Sequence, residues 1–438
     1  GKFVEKYLNF WGKLLKVFNS TIKKLIFIWA IIGKFSYAES TAVIPSNFSL
    51  NRAETMTAYP YKGSYFWYNP ALFTYSTLKI NFVGGDVILD DKGKTEIEDR
   101  FNQKSIDTLD EFTRVLGQEE ATISGGNLEV LKVYLPYIGL TTFAQGIVSS
   151  APISGGKSLT STLRAGGTAG LAIGYGGLSI GYSVYLLKQA QIKSTPNSSQ
   201  LATIKTHYEA GTLTPNNVNL SDYTDVFYGE TLGQNIGLHY QFFEKNYSGI
   251  GVSVLNLGGA KFGSQKSLIK DVAKDLDKKM QEEATEVGVD LKTPTTIKQM
   301  INAGAHLELG QKGEDFLNLS FSVDYQDING SVIDNKLSFA AEFGLHIPDS
   351  WAVKFSVPIY EKDGTYYHVG LLNLNLVSGY RVNESYSYGA TLGTHWGFNR
   401  ALSLLRMDFQ ASKTISLDEN VVPSSWGFQT NLSLIFLF

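Results

Sequence analysis

The chain has 438 residues, with 38 Lys and Arg against 41 Asp and Glu, six His and no Cys; that length fits two or three compact domains or one large closed β structure. Charged residues make up 18%, while Gly (43), Tyr (24) and Phe (26) are abundant, which excludes a disordered chain, a coiled coil and a disulfide scaffold and disfavours a soluble α-rich enzyme. Without Cys there is no thiolate catalysis and no Cys-held zinc.

Residues 1–38 hold seven Lys and one Glu, a net of +6, so the other 400 residues carry −9. A basic leader ahead of an acidic body argues against nucleic acid as a partner. Lys23 and Lys24 precede eight apolar residues, Leu25–Ile32, and Ser36-Tyr37-Ala38 places small residues before a cut between Ala38 and Glu39. This reads as a secretory signal peptide. Eight apolar residues are too few for a spanning helix, which needs about 20; the alternative is an uncleaved anchor or surface helix.

Residues 45–68 do not alternate but are rich in aromatics, including Tyr59, Tyr61, Tyr65, Phe66, Trp67 and Tyr68. So much apolar ring surface is expected to fold inward, as a hatch over 39–70 that plugs a barrel formed by 71–438. A periplasmic tail is the alternative.

From there the repeat is alternation with period two. Leu163, Ala165, Ala169, Leu171, Ile173 and Tyr175 share one face, and after Gly176-Gly177 the phase restarts with Leu178, Ile180, Tyr182, Val184 and Leu186. That spacing predicts two strands joined by a Gly-Gly turn. The same pattern runs through 316–326, 337–347, 351–359 and 386–396, and ends in a last strand with Leu432, Leu434, Phe436 and Phe438 on its apolar face. The predicted strands are 72–83, 137–149, 159–174, 178–191, 231–243, 249–257, 300–310, 315–327, 335–347, 351–361, 365–379, 385–397, 401–414 and 426–438. They number fourteen, and sixteen is the next choice.

Their length, often 11–14 residues, exceeds the soluble mean of about 5–6 and suits tilted strands across a bilayer. In lipid only helices and closed barrels satisfy every backbone group, so the expected fold is an all-β, transmembrane antiparallel β-barrel of about fourteen strands with an N-terminal hatch. The count carries one conflict: from Phe438 backwards, the tight Gly176-Gly177 turn falls on the side of the long loops. The suspects are 128–135, as an unassigned strand, and 365–380, where the apolar phase slips between Leu371 and Leu372. Two short amphipathic loop helices are predicted, at about 105–117 and 266–286.

If the apolar faces meet lipid, Arg164, His239, His306, Glu308, Asp324, Glu342, Lys354, His395, Arg406 and Asp408 point into the lumen. Such mixed charges suit a structural network holding a plug, or alternatively a substrate site. Ala151–Ser158 matches a relaxed phosphate-loop pattern, but a strand follows where that motif needs a helix. The six His have no helical metal spacing. No enzyme activity and no cofactor are expected.

Several short motifs resemble the family of FadL-type fatty-acid transporters and the related PorV-like and TraF-like outer-membrane proteins. Tyr68-Asn69-Pro70-Ala71 is similar to the element that ends the hatch in that family, and Gly177–Gly181, Leu238–Phe243 with Val254–Gly258, Ser322–Asn329 and Tyr388–Gly393 resemble its strands. The insert after the first strand and Leu135–Leu140 look most like the TraF-like branch. Leu374–Tyr380 keeps a Gly-Tyr pair but lacks the family's Arg there, which weakens transfer of a ligand site. The terminal Phe438 resembles the signal read by the outer-membrane assembly machinery. The resemblance implies residence in the outer membrane of a Gram-negative bacterium, with membrane lipid and the assembly machinery as partners. It further implies passive uptake of a hydrophobic small molecule as ligand; the alternative is an accessory barrel of a secretion or conjugation apparatus, without transport.

Overall fold

The computed structural model describes residues 52–59, 65–90, 122–212, 222–263, 285, 290–310, 315–330, 337–347, 356–362, 365–398, 403–418 and 423–436. A 3-10 helix, Pro70–Tyr75, comes first. The strands are β1 (Lys79–Asp90), β2 (Thr122–Leu135), β3 (Ile138–Ile153), β4 (Gly156–Tyr175), β5 (Leu178–Ser194), β6 (Thr224–Gln241), β7 (Gly249–Leu255), β8 (Leu291–Lys292), β9 (Met300–Leu309), β10 (Leu317–Tyr325), β11 (Leu337–His346), β12 (Ser356–Lys362), β13 (Thr365–Arg381), β14 (Ser385–Phe398), β15 (Ser403–Ser416) and β16 (Ser425–Phe436). Helix α1 (Ser198–Glu209) lies between β5 and β6.

Among the described residues, fourteen strands close an antiparallel ring. Neighbours in sequence pair from β1 to β7, then β7 with β9, and onward through β10 and β11; β11 pairs with β13, and β16 returns to β1. β8 attaches in parallel to β6, and β12 attaches to the first part of β13, both off the ring.

Alternation decides which way each side chain points, because successive side chains leave a strand on opposite faces. Along β5, Leu178, Ile180 and Tyr182 are exposed while Ser179, Ser183 and Gln189 are buried. The pattern holds around the ring: Leu171, Leu307, Phe321, Phe343 and Leu376 lie outside, and Asn127, Gln145, Asp324, Glu342 and Arg406 inside. An apolar exterior over a polar interior costs free energy in water and is stable in hydrocarbon. The barrel is therefore a transmembrane one. No helix among the described residues is long and apolar enough to cross a membrane, and crossing by strands needs none.

The total of fourteen arises from two compensating differences. Residues 122–135 form a ring strand (β2) that alternation alone showed only in part, and the described residues of 351–361 supply no ring member: they belong to β12, which pairs only with the first part of β13. Taking 351–361 out of the count moves every earlier turn by one place. The Pro136-Tyr137 and Gly176-Gly177 turns then share one rim, and the β5–β6 and β7–β9 connections share the other. Gly176 (φ 59°) and Gly177 (φ 85°) take the left-handed backbone that a two-residue hairpin requires.

The first strand begins at Lys79 rather than 72, because Asn69 caps a helix with Pro70 at its first position: the Asn69 side chain accepts from the Ala71 amide. The phase slip at Leu371 is a β-bulge. Register with β14 shifts between Leu371 and Asn373, and the extra residue, Leu372, is fully buried. Above the bulge β13 pairs with β11, and below it with β12. Helix α1 starts on a reciprocal cap, in which the Gln200 amide donates to Asn197 Oδ1 and the Asn197 amide to Gln200 Oε1. The helices predicted at 105–117 and 266–286 lie outside the described residues, apart from Thr285.

Candidate functional site

The lumen holds described residues that precede β1. Residues 52–59 and 65–73 are buried, and their polar groups bond to inward-facing strand residues. A positive φ at Ala53 (48°) and Glu54 (59°) turns the chain sharply, so Arg52 and Glu54 diverge to different strands. Arg52 Nη1 donates to Glu342 Oε2 of β11 at 2.6 Å and Nη2 to Ser322 Oγ of β10 at 2.6 Å. Its guanidinium lies 3.7 Å over the Tyr59 ring, whose hydroxyl donates to the same Glu342 oxygen at 2.7 Å. Glu54 accepts from Arg381 Nη2 of β13 at 2.6 Å and from the Tyr68 hydroxyl at 2.9 Å. The Thr57 amide donates to Asp324 of β10 at 2.9 Å. Charges this deep persist only when paired and hydrogen-bonded, and Arg52 with Glu342, and Glu54 with Arg381, are both.

Asn69 joins the segment to itself and to the wall. Its Nδ2 donates to the Thr57 carbonyl (2.7 Å) and to the Leu238 carbonyl of β6 (3.1 Å). Close approach is possible because Gly181 of β5 faces Pro70: a Cβ there would lie 2.2 Å from the Pro70 carbonyl. Lower down, the Tyr75 hydroxyl meets His239 Nδ1 and Gln241 Oε1, both at 3.1 Å. Burial, with Tyr247 alongside, pushes that hydroxyl above the usual phenol range, so it stays protonated and can donate.

Aromatic rings fill the space above the 3-10 helix. Phe66 packs on Phe73 at 4.8 Å, and Trp67 on Phe143 of β3 (5.2 Å) and Tyr185 of β5 (5.4 Å). Tyr134, Leu187 and Phe262 belong to the same cluster. The Phe66 carbonyl accepts from Ser183 Oγ and Asn235 Nδ2.

The structure brings Asp324 and Glu342 to the N-terminal segment, and His239 to Tyr75. Glu308 sits apart, accepting from the Tyr247 amide (2.7 Å) and Asn318 (2.6 Å) at the β6–β7 turn. Arg164 holds Gln189 at 2.9 Å and Gln145. Arg406 and Asp408 pair with each other on β15, and Arg406 also reaches Asn373 at 2.7 Å. Lys354, Phe438, and Ala38 with Glu39 lie outside the described residues. Leu432, Leu434 and Phe436 lie in β16, and Leu432 and Leu434 sit opposite Val83 and Ile80 in its pairing with β1. The phosphate-loop look-alike is the β3–β4 hairpin, with Gly155 at φ 78°. Among the described residues no group of acidic and His side chains could hold a metal. Arg52, Glu54, Asn235 and Arg381 are the members of the network that alternation did not single out.

No family model and no curated protein matches this chain. Among solved structures, the chain is similar to the CymD monoaromatic hydrocarbon channel: TM-score 0.44, 11% identity, over 92% of this chain and 99% of the channel. It is similar also to a Pseudomonas aeruginosa FadL homologue (0.37, 13%, 93% and 100%). A third likeness is the Pseudomonas putida toluene transporter TodX (0.38, 11%, 92% and 100%).

Proposed function

We propose that this protein is an outer-membrane channel of a Gram-negative bacterium through which small apolar molecules pass passively, with residues 39–70 as its luminal hatch. The observation that carries this reading is the aromatic cluster inside the lumen. Barrel interiors are ordinarily polar, yet here Trp67, Phe143, Tyr185 and Phe262 belong to one packed apolar cluster that joins the β7–β9 connection to the hatch. An apolar solute that enters among such rings exchanges water for an apolar environment. The test is to purify the protein in detergent and identify co-bound apolar molecules by mass spectrometry, with Phe143→Asp as the control. Co-bound apolar molecules that the variant loses support the reading; a lumen free of them overturns it.

The second reading is an accessory barrel of a secretion or conjugation apparatus. The paired charges Arg52–Glu342 and Glu54–Arg381 favour it, because they fasten the hatch at two points. Envelope proteins co-purifying with a ligand-free barrel would be its result.

A further inference from the structure

The outer wall is not evenly convex. Over β9, β10, β11 and β13 it carries an open cleft of about 550 Å³, within the roughly 300–1,000 Å³ that ligand clefts occupy. Alternation turns its side chains to the face that meets hydrocarbon. The inward neighbours Ser322 and Glu342 are taken by Arg52 of the hatch.

Strand register builds the cleft. Leu307, Phe321, Ala341 and Ser378 are direct cross-strand partners in one outward row, and Ala305, Val323, Phe339 and Tyr380 in the next. The large side chains change rows halfway. In the first row they stand on β9 and β10, in the second on β11 and β13. The smaller residues left between them, Ala305, Val323, Ala341 and Ser378, form an oblique floor. Leu307 and Phe321 wall it on one side, Phe339 and Tyr380 on the other; Leu307, Phe321 and Phe339 are all exposed.

The dimensions are those of a lipid tail. From β9 to β13 there are three interstrand gaps, about 15 Å of wall at about 4.8 Å each. Half of a hydrocarbon core roughly 30 Å thick is the same length. At one end Tyr380 stacks on Tyr386 across the β13–β14 pair, ring centroids 4.5 Å apart. β13 ends one residue later, at Arg381. Paired tyrosines at a strand end suit the level where headgroups begin.

We infer that this cleft is a site for one acyl chain of a membrane lipid, with the headgroup beside Tyr380 and Tyr386. The surface around the cleft meets the bilayer, so a tail enters it laterally and needs no path through the barrel. In hydrocarbon no water is released on contact, and close packing alone holds apolar groups together. A flat wall offers every tail the same slight attraction. A trough with small residues beneath and rings on both sides gives an extended chain contacts on three sides, which an empty trough would forfeit.

The test reconstitutes the full-length protein in phosphatidylcholine vesicles containing a small fraction of phosphatidylcholine with a diazirine in one acyl chain. After illumination, cross-linked peptides are mapped by mass spectrometry. The comparison region is the outward face of β4 and β5, where Leu171, Ile180 and Tyr182 are similarly exposed. Labelling of β9–β11 and β13 should exceed it roughly three-fold, the size that a handful of dispersion contacts supplies. Ala341→Phe raises the floor and should bring the two regions level. Ser378→Leu should act in the same direction and serves if the first variant does not fold. Even labelling around the barrel, folded variants labelled like the parent, or labelling by a diazirine fatty acid but not by the phospholipid would each overturn the assignment. Luminal ligands are read separately, by co-purification in detergent, so either assignment can fail while the other stands.

Discussion

Arg381 and Glu54 meet at 2.6 Å inside the barrel although 327 residues separate them. Both are almost wholly buried, and Arg381 also reaches Glu384 and Gln326. Removing one partner of such a pair strands the other in a poorly solvated site. Glu54→Gln should therefore destabilise the seated N-terminal segment by about 3–5 kcal/mol. Limited proteolysis of the folded barrel reads this directly: cleavage near residue 54 should accelerate in the variant while the strands stay protected.

Asn69 offers a sharper test of geometry. Asn69→Asp keeps the oxygen that caps the 3-10 helix but loses the donor to Thr57 and Leu238. Two buried carbonyls then lack this donor, at about 1–3 kcal/mol each. Asn69→Asp should consequently behave like Asn69→Ala in thermal unfolding, although aspartate is ordinarily as good a cap as asparagine.

Two glycines of the wall should differ sharply. Gly181→Ala drives a methyl into the Pro70 carbonyl, whereas at Gly146 an added Cβ meets nothing within 4 Å. The first should lose heat-resistant compact migration on gels at a lower temperature than the parent; the second should match the parent.

The lipid-facing assignment is tested at Leu307, which is exposed on β9. Leu307→Arg should cost about 2–4 kcal/mol if the position lies near the bilayer midplane, and refolding yield into lipid vesicles should fall accordingly. Leu307→Phe should refold like the parent. An arginine tolerated equally well would mean that this face does not meet hydrocarbon.

Much of the barrel was legible because alternation is a local signal. Leu178 to Leu186 state their faces with no reference to the rest of the chain, and so do Leu317 to Tyr325. β2 was harder to see. Gly125, Gly126 and Asn127 interrupt its apolar period, and the backbone at Leu131 is left-handed, with a register shift against β3 nearby. β12 was misplaced for the opposite reason: its alternation is regular, but a strand's pattern does not say which neighbour it has. The luminal positions of Asp324 and Glu342 followed from phase alone. Their partners did not, since Arg52 and Glu54 sit in a turn without periodicity and contact residues some 300 positions away.

The bulge at Leu372 gives the two rims different architectures. Toward one rim β13 leans on β11, a ring member; toward the other it leans on β12, an appended ribbon. Lengthening or trimming the chain between β11 and β13 thus acts on one mouth of the cylinder and spares the closure of the other, which makes this stretch the natural place to graft a tag or a foreign peptide.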